Sequence, residues 1–87
     1  MSEYVEARYA KLVLCEARVA KDDVASQLVN DLLRDLNSPQ ELNPARARAV
    51  TSIRVLAHRL RQPHSLLVRE WEAEYQAADA WCQNAYH

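Results

Sequence analysis

The sequence predicts an all-α protein, a small antiparallel four-helix bundle. Glycine is absent from the 87 residues, and the alanine, leucine and arginine that abound favour helix over a sheet with glycine-rich turns. Three breaks divide the chain into four amphipathic stretches of similar length, as an antiparallel bundle requires. At this length we expect one domain over residues 1–87.

The first 37 residues contain no glycine or proline and could form one helix roughly 50 Å long. At about 100° per residue, however, the apolar stripe between Val5 and Ala20 lies nearly opposite the stripe between Val24 and Leu36. A break at Lys21-Asp22-Asp23, with either aspartate as N-cap, turns both stripes inward. This predicts helices over Ser2–Ala20 and Asp23–Asn37. The alternative is a dimeric three-helix chain with a long, bent first helix.

Prolines delimit the third and fourth helices. A Ser-x-x-Glu capping box at residues 38–41 precedes Asn43-Pro44, where an N-cap stands before a proline at the first helical position. Pro63 disfavours helix at the residue before it, and Ser65 can cap the last helix. The predicted helices are Pro44–Gln62 and Ser65–Tyr86.

No catalytic or metal-binding signature is present in the sequence. The three histidines never stand at the i, i+4 spacing of a helical zinc pair, and no Glu-x-x-His occurs. Glu70, Glu72 and Glu74 lack the companions of an active site and are typical of a solvated helix face. We expect a protein that is not an enzyme, with no cofactor and no metal.

The two cysteines and the hydropathy of the chain predict its cellular location. Cys15 and Cys82 lack CxxC spacing and are expected to be buried, free thiols. No apolar run approaches the ~20 residues that span a bilayer. We therefore expect a cytoplasmic protein that does not contact membranes.

Charge is segregated along the chain. Residues 42–69 hold six basic residues and no acidic one, whereas the segments on both sides are net acidic and the total is −1. The sequence pI of about 6.3 lies well below the ~9 of a dedicated nucleic-acid-binding domain.

The arginines of the third helix fall on two faces. Arg54 and Arg61 occupy one shoulder of the apolar arc, where we expect ion pairs with the last helix, Arg54 lying level with Glu72. Arg48 and Arg59 lie on the far side and align in one row, because eleven residues make close to three turns. This row is predicted to meet acidic groups of a partner.

Glu16 and Glu74 fall inside apolar stripes, so each needs a partner. Either each pairs with an arginine near the edge of the core, Arg46 being available, or one contacts a partner protein. Most of the aromatic residues of the last helix are expected in its core face, with Trp81 and Tyr86 partly exposed.

Together these features predict a regulator or inhibitor that docks on a larger protein or complex presenting acidic groups, as a monomer or homodimer. Phages and mobile elements encode antagonists of this size, anti-CRISPR inhibitors among them, which is an association by size alone. The alternatives are a nucleic-acid-binding protein that uses the basic third helix and a self-assembling structural subunit. The predicted partner-binding residues are Arg48, Arg59, Arg54, Arg61, Trp81 and Tyr86.

Overall fold

A computed structural model describes residues 4–36, 43–62, 67 and 69–86. These residues form four α-helices and no strand: α1 (Val5–Val19), α2 (Asp23–Leu36), α3 (Asn43–Leu60) and α4 (Arg69–Ala85). The predicted four-helix architecture is confirmed, and the alternative with one long first helix is wrong. The capping box at 38–41, Pro63 and Ser65 lie outside the described residues.

The break between α1 and α2 is a tight turn with its own hydrogen bonds. Lys21 adopts a left-handed conformation, with φ of 58°. The amides of Lys21 and Asp22 donate to the carbonyl oxygens of Arg18 and Ala17, the pattern of a Schellman motif, which usually has glycine at the left-handed position. Asp22 then caps α2, because its Oδ1 accepts a hydrogen bond from the amide of Ala25 at 3.0 Å. Of the two candidate aspartates, Asp22 is therefore the N-cap.

α1 is the central helix of the bundle. It packs against α2, α3 and α4, and α2 also packs against α3. Nine of its 15 residues are buried. Ala7, Ala10 and Ala17 are among them, and such small side chains allow a neighbouring helix to approach closely.

Side-chain contacts give the helix directions. Glu6 and Glu16 of α1 lie near Arg46 of α3 and Arg61, the residue directly after α3, in the same order, so α1 and α3 are parallel. α4 is antiparallel to α3, since Arg54 and Arg61 contact Asp79 and Glu72 in reverse order. The buried cluster draws on all four helices and comprises Tyr9, Ala10, Leu12, Val13, Leu14, Val29, Leu36, Ala49, Val50, Ile53, Ala57, Tyr75, Ala78 and Cys82.

Several boundary and burial predictions are wrong. α4 begins at Arg69, four residues after the predicted start, and Leu67 packs against the core from outside the helix. Val24 and Leu28 are 80% and 43% exposed, although both belong to the stripe that was expected to be buried. Among the described residues α2 packs mainly against α1 and α3, so one side of its broad apolar arc stays open.

Exposure also differs from expectation at three other side chains. Trp71 is exposed at the start of α4, the helix whose aromatic residues were mostly expected in the core face, and Val19 is exposed near the end of α1. Cys82 is buried as predicted, whereas Cys15 is only half-buried at the edge of its stripe. Within the described part of the chain, no helix has both the length and the apolar character needed to cross a bilayer.

Candidate protein-interaction surface

Arg61 joins three helices through one guanidinium group. Its Nη2 donates to Oε1 of Glu72 on α4, and its Nη1 lies 3.6 Å from Oε2 of Glu16 on α1. The guanidinium carbon stands 3.7 Å from the centre of the Tyr75 ring, a cation–π geometry. The Arg61 side chain is only 14% exposed, so most of it is committed to contacts within the chain.

Arg54 takes part in a second network, two turns away. Its Nε lies 3.2 Å from Oδ1 of Asp79, and the Tyr9 hydroxyl donates to the same oxygen at 2.7 Å. The hydroxyls of Tyr9 and Tyr75 are 3.3 Å apart. Burial, more than these hydrogen bonds, raises the pKa of the Tyr9 phenol, and burial also raises the pKa of Tyr75.

The expected ion pairs of Arg54 and Arg61 with the last helix are confirmed. The expected register between the two helices is wrong. Arg54 pairs with Asp79, whereas Glu72, its predicted counterpart, pairs with Arg61. The shift is seven residues of α4, or about two turns.

A third network contains a buried carboxylate that the sequence reasoning missed. Glu6 accepts a hydrogen bond from the Tyr86 hydroxyl, and Nη1 of Arg46 lies 3.7 Å from the same oxygen. Arg46 also donates to the Leu36 carbonyl at 3.3 Å. Burial and then the bond to Glu6 raise the pKa of Tyr86. The signal was present in the sequence, because Glu6 falls between Val13 and Ala17 on the helical wheel.

Glu16 and Glu74 have different environments. Glu16 is 1% exposed, and its Oε2 lies 3.6 Å from Nη1 of Arg61, which is the pairing with an arginine that was one of its two predicted alternatives. Glu74 is partly exposed and forms an ion pair with Arg8, 2.6 Å between Oε1 and Nη2. A surface pair of this kind contributes up to ~1 kcal/mol.

A polar cavity of about 290 Å³ opens along the seam between α3 and α4. Beside it lies a shallower depression of about 420 Å³ on α3, with Arg54 and His58 shared between the two. Carboxylates of the same seam already neutralise both of its arginines. No group of three metal-ligating side chains occurs among the residues described. The seam cavity is lined by Arg54, His58, Arg61, Gln62, Tyr75 and Asp79.

The outer face of α3 carries a different arrangement, which we call the α3 stripe: Arg48, Ser52, Val55 and Arg59. All four residues are exposed and follow one another at i, i+4, i+7 and i+11, so they form one row about 16 Å long. Val55, 55% exposed, stands between the arginines. Neither Arg48 nor Arg59 has an ion pair within the described ranges.

The other predicted contact residues lie elsewhere. Trp81 is 45% exposed and Tyr86 is half-buried, in agreement with the expected partial exposure. Trp81 lies about 200° around α4 from Asp79, which contacts α3, so Trp81 is on the flank of α4 away from α3. The hydroxyl of Tyr86 donates a hydrogen bond to Glu6. Of the six predicted residues, only Arg48 and Arg59 share an exposed row.

Comparison of the chain with protein-family models, with curated proteins and with solved structures finds no match.

Proposed function

We propose that this chain is a non-enzymatic binding module that docks through the α3 stripe on an acidic surface of a larger protein. One contrast within α3 carries the proposal. Arg46, Arg54 and Arg61 all contact carboxylates of the same chain, whereas Arg48 and Arg59 are exposed and form no ion pair with the residues described. Two arginines of one helix thus keep their charge available to another molecule.

The chemistry of the stripe favours a protein as that molecule. Arginine is enriched at protein interfaces, and an apolar contact at the centre of a polar rim is a common interface arrangement. Val55 between Arg48 and Arg59 reproduces this arrangement on a small scale. Two arginines in isolation offer few phosphate contacts, while binding to nucleic acid draws its affinity from many.

A regulatory or inhibitory role follows from how such a module would act. With Arg46, Arg54 and Arg61 paired to carboxylates of the same chain, the bundle presents a fixed face and changes the partner by covering part of its surface. Trp81 is a candidate for a second contact, because exposed tryptophan is often an interface anchor. The free thiols Cys15 and Cys82 suit a reducing compartment, so we place its action in the cytoplasm.

Quantitative affinity capture from the source cell tests the proposal. Arg48→Glu/Arg59→Glu reverses the charge of the α3 stripe, and Arg18→Glu, an exposed arginine of α1, is the matched control. We expect at least one protein that the wild type and Arg18→Glu capture equally to be lost with the double variant. Identical captured sets for all three, with circular dichroism showing equal helicity, would contradict the proposal.

A gel mobility-shift assay across salt concentrations tests the nucleic-acid alternative. We expect no retardation at physiological salt. Strong, salt-sensitive retardation that Arg48→Ala and Arg59→Ala abolish would replace the proposal with a nucleic-acid-binding function.

A further inference from the structure

The outer face of α2 carries a second stripe with the same spacing as the α3 stripe. Val24, Leu28, Asp31 and Asp35, here called the α2 stripe, are all exposed. Asp31 accepts a hydrogen bond only from its helical neighbour Gln27 among the bonds of the described residues, and Asp35 has no ion pair among them. The α2 stripe therefore offers two apolar side chains followed by two carboxylates.

Both stripes lie on one face of the molecule. On a helical wheel the α2 stripe lies roughly 130° from the buried Val29, and the α3 stripe lies roughly 130° from the buried Ile53. When each helix is viewed from its N-terminus, the two rotations have the same sense. Arg54 and Arg61 contact α4 from one shoulder of α3, and the α3 stripe is turned toward the other shoulder, where α2 packs. The tight turn at Lys21 reverses the chain between α1 and α2, and α1 is parallel to α3, so α2 and α3 are antiparallel neighbours. In antiparallel helices the same sense of rotation turns the two stripes toward each other.

The level of the residues along this face follows from one contact. The Arg46 side chain reaches the Leu36 carbonyl, so residues of α2 and α3 whose numbers add to about 82 lie at similar heights. By this register Asp35 is level with Arg48 and Leu28 is level with Val55. At these two of the four heights the α2 stripe holds what the α3 stripe lacks, a carboxylate for Arg48 and an apolar side chain for Val55.

We infer that two copies of this chain associate through this face, with the α2 stripe of each copy against the α3 stripe of the other. A two-fold axis parallel to the helices keeps every residue at its own height and exchanges α2 for α3. Asp35 of each copy then meets Arg48 of the other, and Leu28 meets Val55. The contact is isologous, and every attractive pair occurs twice.

This face is small, so the association is weak and depends on concentration. Two helices side by side and three turns long cover an area at the low end of specific protein interfaces. The inference goes beyond the proposed function but shares the α3 stripe with it, so an acidic partner competes with the second copy.

Sedimentation velocity between about 1 µM and 1 mM, a range that brackets weak interfaces, tests the inference with charge-reversed variants. Asp35→Arg places a cation in the last turn of α2, and Arg48→Glu places an anion in the first turns of α3. Both charges suit the helix dipole, so both variants are expected to fold.

We expect the wild type to dimerise and each variant alone to dimerise at least about tenfold more weakly, because two attractive pairs become repulsive. An equal mixture restores association, since both ion pairs re-form in the heterodimer. Arg18→Glu is the control and dimerises like the wild type. A wild type that stays monomeric throughout, or a mixture that associates no better than its components, overturns the inference.

The two proposals can fail separately. Asp35→Arg leaves the α3 stripe intact, so it loses self-association while it still captures an acidic partner. Loss of capture by Arg48→Glu/Arg59→Glu with unchanged capture by Asp35→Arg supports the proposed function whatever the sedimentation result.

Discussion

Replacement of Arg61 tests whether its buried contacts hold three helices together. In Arg61→Ala, the Glu16 carboxylate, 1% exposed, loses the cation beside it. Breaking a buried ion pair costs ~3–5 kcal/mol; since the Arg61 side chain retains 14% exposure, we take about 3 kcal/mol. Loss of the contact with the Tyr75 ring adds about 0.5–1 kcal/mol. The expected loss of unfolding free energy is therefore about 3.5–4 kcal/mol, or roughly 15–30 °C in Tm.

Urea unfolding followed by circular dichroism measures this loss against a matched control. Arg59→Ala removes an exposed arginine at the end of α3, two residues before Arg61, and should change the unfolding free energy by less than ~0.5 kcal/mol. Glu16→Gln in the Arg61→Ala background removes the buried charge that Arg61 no longer faces and should recover part of the loss, which keeps the test decisive if Arg61→Ala alone fails to fold. Equal unfolding midpoints for Arg61→Ala and Arg59→Ala would refute the reasoning.

Three further predictions concern a thiol, a phenol and a helix cap. Burial raises the pKa of the Cys82 thiol to about 12, so at pH 8 a thiol reagent should label Cys15 in the native protein and Cys82 only after unfolding; equal labelling rates by mass spectrometry would contradict this. Burial raises the pKa of Tyr9 above that of the unfolded phenol, near 10, so the stability it contributes is complete below pH ~10 and is lost as the pH rises further. Tyr9→Phe should flatten that fall, and parallel stability curves would contradict it. Asp22→Ala should cost about 1 kcal/mol through loss of the cap on α2, and Lys21→Gly should gain about 1 kcal/mol by relieving the left-handed backbone; thermal melts check both signs.

The number of helices could be predicted because hydrophobic periodicity is local information. The reversal of the apolar stripe after Ala20 required a break, and the turn at Lys21 and Asp22 provides it. Periodicity reports which face of a helix is apolar, but not how many neighbours cover it. The exposure of Val24 and Leu28 follows from the central position of α1, because the main neighbours of α2 in the described part of the chain are α1 and α3.

The placement of the α3 arginines on two faces of the helix was also predictable, whereas the residues with which they pair were not. Angular position separated Arg54 and Arg61 from Arg48 and Arg59, because residues 11 apart align on a helix and residues six apart do not. Register between helices depends on packing and loop geometry. The pairing of Arg54 with Asp79 was therefore beyond helical-wheel reasoning.

Site-specific photo-crosslinking in the source cell tests the central claim, that the α3 stripe is a protein-binding surface. Benzoylphenylalanine in place of Ser52 sits between Arg48 and Arg59, and the same group in place of Ala80, exposed on α4, is the control. We predict that irradiation joins the Ser52 position to a larger protein, with a minor adduct at twice the mass of this 10.0 kDa chain from the second copy. Adducts that form equally from both positions, or only from the Ala80 position, would contradict the account.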